Sequence, residues 1–225
     1  MASRYHRELA DADVQSWNIR AVAWSAHARR QARKGLLYSA YSDVGRAFAR
    51  CVRDRLGGES APDRPSIFFS YDTGALEAFE WLHQKGVPLV LGQIDPNRTE
   101  FEMVADEERR WPGWQRQHLF VPEQYFRRRE EEWALAKILV ANSEFCRAAM
   151  IAQGIPGEKI VVIPLCYEEE VHSARPNRTW ETGEAFRVLF LGQVVLRKGV
   201  QYLLDAARLL QSQNIRFDVQ NSLRH

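Results

Sequence analysis

Short apolar runs alternate along the chain with longer stretches in which apolar and charged residues mix. The runs are rich in Val, Ile and Leu, which is typical of buried strands in a parallel sheet. They predict strands at 66–70, 88–92, 137–142, 159–164, 187–191 and 215–219. The stretches between them predict helices at 74–82, about 100–110, about 123–136, 143–153 and about 200–211. Strands that alternate with helices indicate the α/β fold class, with a Rossmann-like, doubly wound parallel sheet.

This alternation lapses between residues 166 and 185, where three consecutive glutamates and a proline-containing basic segment predict a linker. The segment before it, 1–165, is predicted to form one Rossmann-like domain. The segment after it, 186–225, holds one strand–helix–strand unit, which cannot cover both faces of its own sheet. Two alternatives follow. Its strands join the first sheet, or they are the incomplete start of a second Rossmann-like domain.

Composition places the chain among globular proteins, with 45% hydrophobic and 27% charged residues in a length of 225. It has no run of about 18 apolar residues, as a membrane-spanning helix requires. Its first residues lack the apolar segment of a secretory signal. Cys51, Cys146 and Cys166 are far apart and form no C-x-x-C motif, so we expect reduced, buried thiols. These observations predict a cytoplasmic protein.

The net charge of +2 is unevenly distributed, because the first 55 residues hold eleven Lys or Arg against five acidic residues. A basic cluster, Arg29, Arg30, Arg33 and Lys34, fits anionic lipid headgroups, a nucleic-acid backbone or a solvated helix face. No nucleic-acid recognition motif accompanies it and the overall charge is nearly balanced, so we expect no nucleic-acid partner. Peripheral contact with an anionic membrane at the inner face stays open.

The segment 186–205 carries the candidate chemistry. Gly192 ends an apolar strand, and a loop with Arg197 and Lys198 leads to a helix that begins after Gly199. Backbone N–H groups and the helix dipole favour an anion at such a position, and two cations neutralise it. The pattern predicts a phosphate-binding site, although a solvated turn would have the same residues.

A longer series of motifs runs from Asn142-Ser143-Glu144-Phe145 through Gly154-Ile155-Pro156 to the 186–205 segment. In this order, on either side of a linker, the motifs resemble the glycosyltransferase family 4 enzymes. The resemblance is strong over 138–219 and weaker over about 35–137, and it implies that the family's opening glycine-rich strand is missing from the amino-terminal domain. It implies the GT-B architecture, in which two Rossmann-like domains face a cleft. The amino-terminal domain would hold the acceptor, and the carboxy-terminal domain would hold a nucleotide-diphosphate sugar.

The resemblance implies that Gly192, Gln193, Arg197 and Lys198 surround the donor diphosphate. Lys198 matches the lysine of the family, whereas Gln193 stands where the family commonly has an arginine. We expect Arg197 to supply the missing charge. Such transfer needs no protein nucleophile, and we predict neither a metal nor another cofactor, because the six histidines lack ligand spacing.

Loops after the strands would face the acceptor, which the resemblance implies is a glycan or a lipid-linked acceptor. Asp72 and Asp95 are the candidate catalytic residues, since either carboxylate could accept a hydrogen bond from an acceptor hydroxyl and one could act as a base. For each, a loop or cap residue is the alternative. Further acceptor-cleft candidates are Tyr71, Asn142 and Ser143. Trp111 and Trp114 fit either sugar stacking or, more commonly, a core or hinge position.

The family also has two glutamates eight positions apart, late in its carboxy-terminal domain. The pairs with that spacing here, Glu100 with Glu108 and Glu123 with Glu131, lie in charged helices and are predicted to be solvated. We therefore expect a truncated glycosyltransferase that transfers sugar from a nucleotide-diphosphate donor with retention, and that turns over weakly or not at all on its own. The alternative is a non-catalytic GT-B-like interaction module that works with a partner chain or self-associates through the incomplete domain.

Overall fold

The computed structural model describes residues 11–12, 14–58, 65–114, 120–166 and 183–221. Over these ranges the chain forms seven α-helices and six β-strands. The helices are α1 Asn18–Ala32, α2 Leu37–Gly57, α3 Leu76–Gln84, α4 Arg98–Arg110, α5 Glu123–Leu135, α6 Glu144–Ala152 and α7 Val200–Leu209. The strands are β1 Phe68–Tyr71, β2 Leu89–Gln93, β3 Ile138–Ala141, β4 Ile160–Val162, β5 Phe186–Gly192 and β6 Ile215–Asn221. Every strand and helix that the apolar pattern predicted is present, with ends shifted by a few residues.

Strands β1 to β4 form one parallel sheet in the order β1-β2-β3-β4. Alternate residues of each strand point to the same side of this sheet. The residues that point to one of these sides pack against the helices. The core there is apolar and includes Phe79, Leu82, Leu89, Leu91, Trp133, Leu139, Met150 and Ile160. The α/β class with a Rossmann-like parallel sheet is confirmed.

The prediction of a doubly wound sheet is wrong for the described strands, because their order never reverses. Right-handed crossovers in one direction place successive helices on the same face. The opposite face carries Phe69, Tyr71, Val161 and Ile163, whose exposed fractions lie between 45% and 61%. An alternation of strands and helices in a sequence does not show the order in which the strands pair. The pattern of apolar runs could therefore not predict whether helices cover one face of the sheet or both.

Strands β5 and β6 pair with each other in parallel, with Phe186 opposite Ile215 and Gly192 opposite Asn221. Among the described residues they form a separate two-stranded sheet, so the alternative in which they join the first sheet is wrong. The linker predicted at 166–185 lies mostly outside the described residues, and the domain boundaries stay a prediction.

Helices α1 and α2 precede the first sheet. The rings of Trp17, which directly precedes α1, and of Trp24 on α1 meet Phe48 of α2 edge-on, at centroid distances of 5.9 and 6.4 Å. Helix α2 in turn packs on α3 and comes so close to the β1–α3 loop that a Cβ on Gly45 would lie 2.1 Å from the Thr73 carbonyl oxygen. Only glycine fits there.

All three cysteines are free thiols: Cys51 is half-buried, Cys146 is buried and Cys166 is exposed. The prediction of a buried thiol is therefore confirmed for Cys146 and wrong for Cys166. Among the described helices, none is both long and apolar enough to cross a membrane.

Candidate functional site

A cavity of about 620 Å³ opens between α4 and the turn that precedes α7. One side is formed where β2 and β3 end, by Ile94, Asp95, Pro96 and Asn142. The other side is formed by residues 196–199 together with Gln201 and Tyr202 of α7. The carboxyl ends of parallel strands are where ligands bind in open α/β sheets. The cavity therefore lies at the edge of the sheet that sequence reasoning selected.

Helix α4 supplies the wall between these two sides. Glu100, Met103, Val104 and Glu107 line the cavity from positions i, i+3, i+4 and i+7, which form a single stripe of the helix. The stripe can be recognised in the sequence by its spacing. It was missed because α4 is so rich in charge that it was interpreted as a solvated helix.

Two glutamates of this stripe bind the other side of the cavity. Arg197 donates to Glu100 at 2.9 Å, so the prediction of a solvated Glu100 is wrong. Glu107 accepts hydrogen bonds from the Tyr202 hydroxyl at 2.7 Å and from Gln201 Nε2 at 2.9 Å. The bond from Tyr202, followed by that from Gln201, lowers the pKa of the Glu107 carboxyl. These contacts fix the width of the cavity.

The four residues predicted around the donor diphosphate divide into two pairs. Arg197 and Lys198 line the cavity, whereas Gly192 and Gln193 are outside its described lining. Lys198 is exposed, and no described residue forms an ion pair with it. Gly199, with a φ of 72°, ends the turn and begins α7 in the left-handed conformation that favours glycine. Lys198 therefore lies next to the amino-terminal end of α7.

The two candidate catalytic aspartates meet at one buried arginine. Arg129 on α5 has no exposed surface and its Nη2 donates to both Asp72 and Asp95, the latter at 2.6 Å. Asp72 also accepts from Gln93 Nε2 at 3.0 Å, and Trp133 Nε1 donates to Gln93 Oε1 at 2.6 Å. The network joins the ends of β1 and β2 to α5.

Within this network only Asp95 faces the cavity. Its side chain is 30% exposed, whereas Asp72 as a residue is 8% exposed and is outside the described lining. Burial raises the pKa of the Asp72 carboxyl, although Arg129 acts in the opposite direction. The arrangement favours Asp95 over Asp72 as a group that an acceptor could reach. Asp72 has the position of a structural partner for Arg129.

Of the acceptor-cleft candidates, Asn142 lines the cavity and its Nδ2 donates to the Ile94 carbonyl at 2.9 Å. Ser143 caps α6, since its Oγ accepts from the Cys146 N–H at 3.2 Å. The ring of Tyr71 lies over Gly92 on the exposed face of the sheet, away from the cavity lining. Trp111 stands edge-on to Tyr202 at a centroid distance of 6.1 Å and to Trp114 at 5.5 Å.

Helix α5 holds a second buried charged group that sequence reasoning missed. Glu132 has no exposed surface and accepts hydrogen bonds from the N–H groups of Thr73, Ala75 and Leu76, at 2.6 to 3.1 Å. It therefore caps the N-terminus of α3, a position that otherwise attracts an anionic ligand. Burial raises the pKa of Glu132 to about 7, against these donors and nearby Arg128. The charged sequence 127–132 gave no sign of this.

Arg128 completes this group with two bonds to Glu77, at 3.0 and 2.6 Å. Arg128 on α5 and Glu77 on α3 both lie on the buried side of their helices. Among the described residues, no three His, Cys, Asp or Glu side chains are grouped so that they could hold a metal ion.

No protein-family model and no curated protein matches the sequence. Among solved structures, the chain is similar to the UDP-GlcNAc 2-epimerase from Neisseria meningitidis, which was crystallised with UDP-GlcNAc bound. The similarity has a TM-score of 0.39 at 13% identity, and it covers 82% of this chain and 49% of that protein. The chain thus spans about half of the epimerase's length. Membership of glycosyltransferase family 4 remains the prediction made from the motifs.

Proposed function

We propose that the chain binds a nucleotide-diphosphate sugar in the cavity between α4 and the turn before α7. The bound molecule would be the donor for retaining transfer to a glycan or a lipid-linked acceptor. One observation carries the proposal. Arg197 and Lys198 stand on one side of a cavity of about 620 Å³, and Asp95 and Asn142 stand on the other, at the ends of β2 and β3.

On the donor side, Lys198 would meet the diphosphate as a point charge that has no competing ion pair among the described residues. Arg197 would add the planar, two-pronged contact that suits phosphate oxygens. To do so it must exchange the Glu100 carboxylate for phosphate. Both cations would stabilise the negative charge that builds on the diphosphate as its bond to the anomeric carbon breaks.

On the acceptor side, Asp95 would accept a hydrogen bond from the attacking hydroxyl, with Asn142 beside it. The hydroxyl oxygen forms the new bond to the anomeric carbon, and the electron pair of the broken bond leaves with the diphosphate. The hydroxyl proton passes to Asp95 or to the leaving phosphate. The proposal involves no metal and no further cofactor, and we expect weak or no turnover from this chain alone.

The proposal is tested by calorimetric titration of the purified chain with UDP, GDP and ADP in turn. We expect one of them to bind, and Lys198→Ala to weaken it by about 10- to 100-fold, since a hydrogen bond to a charged group contributes about 1.5–3 kcal/mol. Lys137→Ala is the matched control, because Lys137 is exposed and distant from the cavity lining. Equal loss in both variants, or no binding by any diphosphate at millimolar concentration, would reject the site.

A different observation supports the interaction module as a second candidate. Leu189 and Leu191 lie on one face of β5 and are 60% and 72% exposed. Apolar strand surface of this kind favours association with a second copy of the chain. Light scattering after size-exclusion chromatography distinguishes the proposed transferase from the interaction module. A monomer at micromolar concentration that binds a nucleoside diphosphate supports the transferase, and a dimer that Leu191→Ser dissociates supports the module.

A further inference from the structure

A second cavity, of about 380 Å³, lies between α2, α3 and α5. It shares no described lining residue with the cavity beside α4. All but one of its described lining side chains are polar or charged, and three are arginines. The lining consists of Ser42, Arg46, Leu76, Gln124, Arg127, Arg128 and Glu131. This cavity is therefore a polar site, unlike an apolar gap between packed helices.

Two of the three arginines converge on one carboxylate. Arg128 Nη1 donates to Glu77 Oε1 at 3.0 Å, and Arg46 Nε lies 3.7 Å from the same oxygen. Arg128 is 5% exposed, and it also donates to Glu77 Oε2 at 2.6 Å and to the Thr73 carbonyl at 2.8 Å. These bonds use three of its five N–H groups. The guanidinium of Arg128 is thus fixed in place, and two N–H groups remain for a ligand.

The other two arginines carry charge that the surrounding protein hardly neutralises. Arg46 lies 4.0 Å from Asp43 and 3.7 Å from Glu77, and both distances exceed that of a hydrogen bond. Arg127 is exposed and forms no ion pair with any residue that the structure describes. Glu131, also exposed, is the one acidic residue of the described lining. Three guanidinium groups therefore line a cavity that has a single carboxylate of its own.

A phosphate group fits this lining better than a carboxylate does. Phosphate offers three terminal oxygens and nearly two negative charges, whereas a carboxylate offers two oxygens and one charge. The guanidinium fork matches phosphate oxygens, and a bound dianion removes the repulsion among neighbouring cations. Gln124 is the second residue of α5, so the positive end of that helix also lies beside the cavity.

The volume of the cavity indicates that the ligand is larger than phosphate alone. Sites for small organic molecules typically have volumes of about 300–1,000 Å³, and 380 Å³ lies within that range. The Ser42 hydroxyl and the Gln124 amide both donate and accept hydrogen bonds, which suits hydroxyl groups of a ligand. Leu76 is the one apolar side chain of the described lining. The remainder of the ligand is therefore polar.

We propose that this cavity binds a small hydroxylated molecule that carries a phosphate monoester, such as a sugar phosphate. The phosphate would lie between Arg46, Arg127 and Arg128, and the hydroxyl groups would contact Ser42 and Gln124. The proposal goes beyond the nucleotide site and does not depend on it, since the two cavities share no described lining residue.

The test is calorimetric titration of the full chain with glucose 6-phosphate, without nucleotide. We expect a Kd below about 1 mM. Glucose lacks the phosphate and glucuronate has a carboxylate in its place, and both are expected to bind at least about tenfold more weakly. Equal binding of glucuronate, or no binding of glucose 6-phosphate at millimolar concentration, overturns the proposal. Binding of inorganic phosphate alone would overturn its hydroxylated part.

The double variant Arg46→Gln with Arg127→Gln tests whether this cavity is the site. Neither side chain is buried or donates a hydrogen bond to a described residue, so the variant is expected to fold, which circular dichroism checks. It should bind glucose 6-phosphate at least about tenfold more weakly. The control is Arg50→Gln with Arg208→Gln, which removes two exposed arginines outside both cavities. Equal loss in both double variants would mean that only net charge matters and overturns the assignment.

Glu131→Gln gives a test in the opposite direction. It removes the acidic residue of the described lining, so we expect glucose 6-phosphate to bind about two- to fivefold more tightly. Unchanged or weaker binding would contradict an anion in this cavity.

Lys198→Ala separates the two cavities. It is expected to leave the affinity for glucose 6-phosphate unchanged, because Lys198 lines only the cavity beside α4. Loss of glucose 6-phosphate binding in this variant would place the phosphate beside α4 and overturn the second site. A chain that binds glucose 6-phosphate but no nucleoside diphosphate would reject the nucleotide site and support this one.

Discussion

The guanidinium of Arg197 donates a hydrogen bond of 2.9 Å to the carboxylate of Glu100. The two residues are 97 positions apart in the chain, and their contact connects the turn before α7 to the α4 wall of the cavity. In the proposed complex this same arginine binds phosphate. Glu100 therefore competes with the ligand for Arg197.

This competition predicts that Glu100→Gln binds the nucleoside diphosphate more tightly than the unmodified chain. Because the pair is partly exposed, its contribution is small, and the gain is expected to be about two- to fivefold. Titration calorimetry measures it. Glu102→Gln is the control, since Glu102 is an exposed residue of the same helix outside the cavity lining. Equal affinities for the two variants would show that the pair does not compete.

The buried pair of Arg129 and Asp72 predicts a large effect on stability. Asp72→Asn leaves the Arg129 guanidinium, which has no exposed surface, without its most buried counter-charge. Removing one partner of a buried ion pair typically lowers the free energy of unfolding by about 3–5 kcal/mol. Urea titration measures this change. Asp205→Asn, which breaks an exposed pair with Arg208, is expected to change it by less than about 1 kcal/mol. Similar changes in the free energy of unfolding for the two variants would contradict a structural role of Asp72.

Glu132 predicts a pH-dependent contribution to stability. Its pKa is raised from 4.5 to about 7 in the folded chain, so folding favours its protonated form. The favourable contribution is present in full below about pH 4.5 and is lost as the pH rises to about 7, by roughly 3 kcal/mol. Urea midpoints of the unmodified chain and of Glu132→Gln, compared at several pH values, isolate this contribution.

The difference between the two midpoints should change between pH 4.5 and 7 and be flat outside that range. Other carboxyl groups titrate in both proteins and cancel in the difference. A difference that is constant over the whole range would mean that the Glu132 pKa is unshifted.

The contact of α2 with the β1–α3 loop predicts that Gly45→Ala is destabilising. The added Cβ would lie 2.1 Å from the Thr73 carbonyl oxygen, a backbone atom that cannot rotate away. Overpacking of this kind costs about 1–3 kcal/mol, and thermal unfolding should show a lower midpoint. Gly57→Ala in the same helix is the control, because its Cβ would meet only Trp81 at an ordinary 3.4 Å. The control is expected to be neutral or slightly stabilising.

The strands were predictable because each is a compact apolar run that ends near a turn residue, as Gly192 ends β5. The cap at Ser143 was predictable because a serine before a helix has few other roles. Lys198 was placed at the cavity by a local signal, the strand–glycine–helix pattern. In each case the information lies within a few residues of the feature.

The rest depends on partners that are distant in sequence. Arg129 and Glu132 are buried because loops more than 30 residues away bring them Asp72, Asp95 and the N–H groups of α3. In the sequence the same residues belong to a charged run, which is usually solvated. Nor does any local pattern show that Glu100 meets Arg197. For Arg129, Glu132 and Glu100, the sequence therefore shows that a charged residue is present but does not show which distant residue it contacts.

The strand order β1-β2-β3-β4 has a consequence for how the protein is made. In this sheet β2, β3 and β4 each pair with the strand synthesised immediately before it, so the partner already exists when the new strand emerges from the ribosome. Parallel sheets are usually slow to form because their strands are far apart in sequence, and domains generally fold from the amino-terminal end during synthesis. In this protein the order in which β1 to β4 are synthesised is the same as their order in the sheet. The sheet can grow from one edge during translation, and none of its four described strands has to be inserted later between two that have already met.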